Sequence, residues 1–511
     1  MKTIRILFFI FTVIYVIINL VYLDKYPLIW ADDAFLTEVS YNFLKTGNFG
    51  SILCTGYGLE KSHVVYGRIY LLAVAGSYYL FGVGPFQARI VSFLCGLVVL
   101  FLTYSIAKRL FNEKVAMFSS AFLGLTHIFI VHSHMARPDI VVAMFILLTI
   151  HLFLLAKEKM SLRLYFLCGL VASLTIDVHP PGGIAIVTLG SLVLLHIKSL
   201  NKKIILITGA GVILGLLWWI YMHILTDPAT FFWQWGSYWS KFEPPPAHGF
   251  SLIEIFKNEA KRYVEFFWKG RFHRNMFLLV LFVFSTISAA ILSIRQKSYP
   301  HGLLLTVLFS GIITLTFVVP NKTTFYFIYI FPVLSVLSAD SLFRSIKNSQ
   351  TLLRTAGVVL LTGTFLVFTS ENVYKLVKFR EANYYSFVGK LKQHIPENAT
   401  VLGKAAYWFG FTKQSYYLDY YANFLYCENN KPVLKCNLLE FIKKNKIDYL
   451  IADEEFFWWD RENIIGTINK NNKIFGPIAT IEDKFYGSDF FAFIQKEKSI
   501  TKIYMVNRQH L

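Results

Sequence analysis

Long uncharged apolar runs recur along the first 370 residues, each close to the roughly 20 residues that a helix needs to cross the hydrocarbon core of a bilayer. They fall at residues 6–23, 90–107, 115–136, 140–156, 162–176, 182–197, 204–225, 275–294, 301–319, 323–339 and 355–370. An aqueous fold has no place for about eleven such segments, so the chain reads as a polytopic α-helical membrane protein. Composition agrees: 55% of the 511 residues are hydrophobic and only 16% are charged, too apolar for a soluble protein of this size. Lys2 and Arg5 precede the first run and no small-residue cleavage site follows it, so it reads as a retained first span.

Charge placed between the runs orients them. The formal net charge of +19 raises nucleic acid as a partner, but the basic residues cluster in connectors, where the positive-inside effect puts them. A further apolar stretch at residues 64–83 contains Arg68 and is diluted by Gly76 and Gly82. If it is not a span, the connectors bearing Lys108, Arg109, Lys157, Lys159, Lys198, Lys202, Arg295, Lys297, Arg344 and Lys347 all share a side with Lys2 and Arg5. Residues 64–83 are therefore expected to form an interfacial or re-entrant helix. The N-terminus is then cytoplasmic, and loops 24–87 and 226–274, the short turns at 137–139 and 177–181 and everything beyond 371 lie outside.

The sequence divides into a body at 1–370 and a soluble unit at 371–511. In the latter, helical patterns at 387–394 and 438–444 alternate with strand patterns at 400–402, 449–452, 478–481 and 490–494, which predicts a small α/β unit. Five cysteines match no zinc or CxxC pattern. Cys427 and Cys436 could pair if that unit faces an oxidising space.

Three outward turns place ionisable groups at span ends, where entry into hydrocarbon would cost a few kcal/mol. The first is Trp30-Ala31-Asp32-Asp33-Ala34-Phe35, followed by an amphipathic stretch with Ala34, Val39 and Phe43 on its apolar side. The second is Ala136-Arg137-Pro138-Asp139 and the third Asp177-Val178-His179-Pro180-Pro181-Gly182. Each aspartate can also be a simple helix cap, and His179 can be structural. Arg89, in Gln87-Ala88-Arg89, suits either a phosphate or an interfacial anchor.

Taken in order, these turns resemble the dolichyl-phosphate-mannose protein mannosyltransferase superfamily, of multi-spanning GT-C architecture, which includes bacterial lipid A aminoarabinose transferases. The similarity covers residues 1–225. It implies transfer of a sugar from a polyprenyl-phosphate carrier to a lipid, glycan or protein acceptor on the outer face of a bacterial inner membrane, by inversion. It also implies that Asp32 is the catalytic base, with Asp33 standing where the family often has Glu. Asp32, Asp33 and Asp139 are thus the candidate catalytic carboxylates, and His63, Arg89, Arg137 and His179 the candidate ligands of the carrier phosphate. Where the family often has His-Pro-Pro, this chain has His63-Val64-Val65. No metal ligands are assigned, and need of a divalent metal as cofactor stays open. Membrane lipids are the remaining partners. A transporter or lipid flippase shares the spans, but such folds usually show internal repeats and broken helices near the midplane, whereas this sequence shows no repeat between its halves and places its charged motifs at span ends. A structural or sensory protein would leave the aspartates with nothing but capping to do. The loop at 226–274, with Trp233, Trp235, Trp239, a Glu243-Pro244-Pro245-Pro246 break and the basic residues Lys269, Arg271, His273 and Arg274, is read as a lid over the carrier or as an interfacial aromatic belt.

Overall fold

The computed structural model describes residues 2–53, 67–242, 252–269, 276–317, 319, 323–347, 351–419, 438–457, 461–487 and 499–511. Among them, six helices are long and apolar enough to cross a membrane: Pro85–Leu110, Asp139–Lys159, Lys202–Leu225, Met276–Arg295, Tyr299–Phe317 and Gly357–Lys392. Glu113–Leu125 and His127–His134 together form one more such segment, bent by 68°. The bend falls where Thr126 leaves helical geometry for an extended backbone and its hydroxyl donates back to the Leu123 carbonyl at 2.7 Å.

The count of eleven therefore does not follow from length and composition alone. The run at 323–339 is divided into a 3-10 turn, Thr324–Tyr329, and a helix, Phe331–Ile346, because Pro332 suits the first turn of a helix but not its interior. Pro180 and Pro181 likewise open a 3-10 turn ahead of Ile184–Leu195, so the apolar helix there spans only Pro180–Leu195. Arg68–Phe81 has 14 residues, about 21 Å at 1.5 Å per residue, which is short of a hydrocarbon core.

Small residues let two helices approach closely next to the site. A Cβ on Gly169 would lie 2.1 Å from the Thr208 carbonyl oxygen, and one on Gly211 2.2 Å from that of Phe166, so Leu162–Val178 and Lys202–Trp219 touch backbone to backbone. This contact holds Asp177, at the end of the first helix, beside Trp218 and the π-helical turn Ile220–Leu225.

Toward the C-terminus, five strands form one mixed sheet: β1 (Thr400–Gly403), β2 (Ser415–Leu418), β3 (Tyr449–Ala452), β4 (Phe475–Asp483) and β5 (Ser499–Val506), in the order β2-β1-β3-β5-β4. The β1 pairings are parallel and those of β5 antiparallel. Side chains alternate between two cores. Val401, Ile451 and Ile503 join the hydrophobic cluster of the membrane body, whereas Leu402, Leu450 and Tyr504 pack with helices Leu438–Asn445 and Arg461–Lys470. The expected strand at 490–494 and the Cys427/Cys436 pair lie outside the described residues. β2, β5 and the helix Arg461–Lys470 are additions to the sequence reading.

Candidate active site

The turn at 30–35 contains a short helix, Ala31–Phe35, followed after a two-residue break by Glu38–Thr46. Ala34 and Val39 are buried as expected, and Phe43 stacks on Phe49 at 4.3 Å. The two adjacent aspartates then diverge completely.

Asp33 points inward and is wholly buried against Arg89. Its Oδ1 accepts from Arg89 Nε at 3.0 Å and from the Ala136 amide at 2.7 Å; its Oδ2 accepts from Arg89 Nη2 at 2.6 Å and from the Trp30 amide at 2.9 Å. Arg89 spends its other three N–H groups on the carbonyls of Leu23, Pro27 and Leu28, at 3.0, 2.6 and 2.9 Å. All four carboxylate lone-pair positions and all five guanidinium donors are thereby used. In this arrangement every Arg89 donor and every Asp33 lone pair is taken within the protein, where the sequence reading expects Arg89 at the carrier phosphate and Asp33 among the catalytic carboxylates. Together they staple the loop at 23–33 to the turn at 136–139.

Asp32 points the other way and keeps 26% of its side chain exposed. It pairs with Arg137 Nη1, while Arg137 Nε donates to Asp139 Oδ2 at 2.8 Å. Asp139 is itself buried, and its Oδ1 accepts from the Tyr329 hydroxyl at 3.2 Å. The guanidinium of Arg137 lies 4.4 Å over the Phe325 ring, which also neighbours His132 at 5.4 Å and Trp30 at 6.0 Å. His179 is buried with its ring 6.0 Å from that of Tyr326, close enough to Asp139 and Arg137 to interact electrostatically. The cluster thus gathers Asp32, Arg137, Asp139 and His179 from three distant turns, and His63 lies outside the described residues.

Burial raises the Asp32 carboxyl above the ordinary carboxylate range; Arg137 opposes the shift, and the nearby Asp33 and Asp139 charges add to it. One partly exposed carboxylate with a raised proton affinity beside a fixed guanidinium can accept a proton while its neighbour stabilises an anion. Among the described residues no group of three or more His, Cys, Asp or Glu side chains is placed to hold a metal ion. Asp32 and Asp139 share Arg137 between them.

Several participants were missed in the sequence. Tyr329, Phe325 and Tyr326 sat inside an apolar run and read as span, although the density of aromatic rings in Thr323-Thr324-Phe325-Tyr326-Phe327-Ile328-Tyr329 was the available signal. Also missed was a second buried constellation, in which Asp177 accepts from Trp218 Nε1 at 3.1 Å and its Oδ1 lies 2.5 Å from His223 Nε2. Among its described residues the expected lid is largely helical, as Pro228–Phe242 and Leu252–Val264. Phe266 and Phe267 pack on Phe327 at 4.7 and 6.0 Å.

With this geometry in hand, the likenesses to known proteins fall into place. Residues 69–221 match the family model described as dolichyl-phosphate-mannose-protein mannosyltransferase. An uncharacterised protein of Aquifex aeolicus (strain VF5) is 23% identical over 368 residues, 69% of this chain and 66% of its own length. ArnT from Cupriavidus metallidurans in the apo state superposes with a TM-score of 0.62 at 14% identity, covering 98% of both chains. The same protein bound to undecaprenyl phosphate gives 0.60, again at 14% identity and 98% of each chain. The archaeal oligosaccharyltransferase AglB from Archaeoglobus fulgidus, in complex with an inhibitory peptide and a dolichol-phosphate, gives 0.55 at 11% identity, over 98% of this chain and 74% of its own. The chain is a multi-pass membrane protein with the GT-C fold. Within that fold, its likeness to ArnT runs through the membrane body and the C-terminal unit alike.

Proposed function

We propose that this protein transfers a sugar from a polyprenyl-phosphate carrier to an acceptor hydroxyl, on the outer face of a bacterial inner membrane, with Asp32 as general base. The observation that carries this is the divergence of the aspartate pair. Asp33 is consumed in the buried clamp with Arg89, while Asp32 remains partly exposed and joined to Arg137. The relatives that bind undecaprenyl phosphate and dolichol-phosphate in the same fold support the donor class.

In the proposed step the acceptor oxygen attacks the anomeric carbon as its proton passes to Asp32, and the carrier phosphate leaves with the electrons of the broken C–O bond. A phosphate leaving group departs as an anion and needs positive charge more than a proton, a task that falls to Arg137; burial lowers the proton affinity of His179 beside it, which is therefore a neutral polar neighbour and not a second charge. Attack opposite the leaving phosphate gives inversion. General-base assistance is worth about 10² to 10⁴-fold in rate. Asp32 and Asp139 both pair with Arg137, which holds the base and the cation next to each other. The three polar turns sit at helix ends, which suits a surface site better than a transport path through mid-membrane breaks.

Purified protein in lipid vesicles, given a polyprenyl-phosphate sugar labelled in the sugar, should release free polyprenyl phosphate only when acceptor is present. Movement of the intact lipid between leaflets with no cleavage would replace this reading with a flippase.

A further inference from the structure

The helix that carries Asp32 is covered by the C-terminal unit. Its 3-10 turn Ala405–Gly410 lies directly against Ala31–Phe35. Trp408 of that turn is only 1% exposed despite its size. Its ring meets Tyr41 edge-on at 5.6 Å, and the Tyr41 hydroxyl donates to the Thr412 carbonyl at 3.2 Å. From behind, Tyr384 holds the turn by donating to the Ala406 carbonyl at 2.6 Å. Tyr384 and Tyr486 both come close enough to Asp33 and Arg89 to interact with them electrostatically. Phe379 packs on Tyr26 at 4.9 Å, and Lys25 Nζ donates to the Arg380 carbonyl at 3.3 Å. One hydrophobic cluster runs from the membrane body through Trp408 to Val401 and Ile503 of the sheet, without a seam. The step proposed above uses none of these contacts.

We propose that Trp408 is a positioning residue for glycosyl transfer: through Tyr41 and the Ala405–Gly410 turn it clamps the Asp32 helix from outside, making the C-terminal unit a working part of the active site. The inference rests on the functional reading above. Asp32 is fixed from beneath by the Asp33–Arg89 staple, but its helix is one short turn and the next begins only at Glu38. Something must hold the upper side. A displacement of about 1 Å at a reacting group can cost about 10²-fold in rate without touching the groups that bind substrate.

The test compares full-length wild type, Trp408→Ala, Trp408→Phe and Tyr41→Ala in lipid vesicles. Turnover is normalised to the fraction of protein that binds polyprenyl phosphate, so that loss of folded protein is not counted as loss of rate. Trp408→Ala should lower kcat by about 10 to 100-fold with KM for the donor little changed. Trp408→Phe, which keeps an aromatic edge against Tyr41, should recover most of it. Amide hydrogen exchange over residues 28–44 should rise in Trp408→Ala and stay near wild type in Trp408→Phe. Wild-type kcat in Trp408→Ala, equal losses in the alanine and phenylalanine variants, or unchanged exchange over 28–44 would each overturn the proposal. Should Trp408→Ala fail to fold, Tyr41→Ala, which removes the ring that meets Trp408, serves the same purpose: exchange over 28–44 that stays at the wild-type level overturns the clamp, and a rise supports it. A wild type without turnover would defeat the functional reading alone, because hydrogen exchange still judges the clamp.

Discussion

Two neighbouring aspartates with opposite fates define the site at the scale of single residues. Burial raises the Asp32 carboxyl and Arg137 opposes that rise, with Asp33 and Asp139 the other charges that face it. A general base works only when deprotonated, so activity climbs as pH rises through the Asp32 titration. Arg137→Met removes the opposing charge, so the acid limb of kcat/KM should move to higher pH, and kcat should fall by about 10²-fold or more. A pH profile with an unmoved acid limb would contradict the pairing. For the staple, Arg89→Met leaves the Asp33 charge buried without its partner and three carbonyls without donors. The expected loss is about 3–5 kcal/mol of stability, read by denaturant unfolding in detergent; a variant as stable as wild type would refute the buried pair. The sequence marked both aspartates, but not their division of labour. Helix phase separates Asp32 from Asp33 by about 100°, and which one faces inward depends on where Arg89 and the Ala136 amide arrive from other parts of the chain.

Among the elements, the amphipathic helix Glu38–Thr46 carries a buried acid. Glu38 accepts from the Ser51 hydroxyl and from the Ile52 amide at 2.9 Å, and burial pushes its carboxyl up to about 8, with those hydrogen bonds opposing. The folded protein therefore keeps a proton that the unfolded chain gives up near its ordinary value of 4.5. Because the folded pKa is raised, this contribution to stability is complete below about 4.5 and is lost as pH climbs to about 8. Melting temperature measured across that interval should show a decline in wild type that Glu38→Gln lacks; parallel curves would rule it out. Apolar length located the long helices well, since hydrophobicity over 20 residues leaves few alternatives. It failed where proline or an extended threonine divides a run, at Thr126, Pro180 and Pro332, because hydropathy does not register backbone geometry. Those same breaks build the site: Pro180 follows His179, and the turn before Pro332 supplies Phe325 and Tyr329. Length alone did not decide which strands were legible: β1 and β3, four residues each, are read from the sequence, whereas β5, with eight, is not.

For the whole molecule, the alternation of basic connectors and polar turns gives a topology in which the turns bearing Asp32, Arg137 and His179 share one face. In the structure these turns converge, from positions more than 100 residues apart for Asp32 and Arg137. Arrival of the C-terminal unit over Asp32 could not be read from sequence. The rings that make the contact, Tyr41 and Trp408, lie in segments whose local patterns say only that they are partly buried. The most direct test of the account measures release of polyprenyl phosphate from a labelled polyprenyl-phosphate sugar by reconstituted protein, comparing wild type with Asp32→Asn. The account predicts turnover by wild type, loss of at least about 10²-fold in the variant and unchanged binding of polyprenyl phosphate by both. Turnover by Asp32→Asn at the wild-type rate would contradict it.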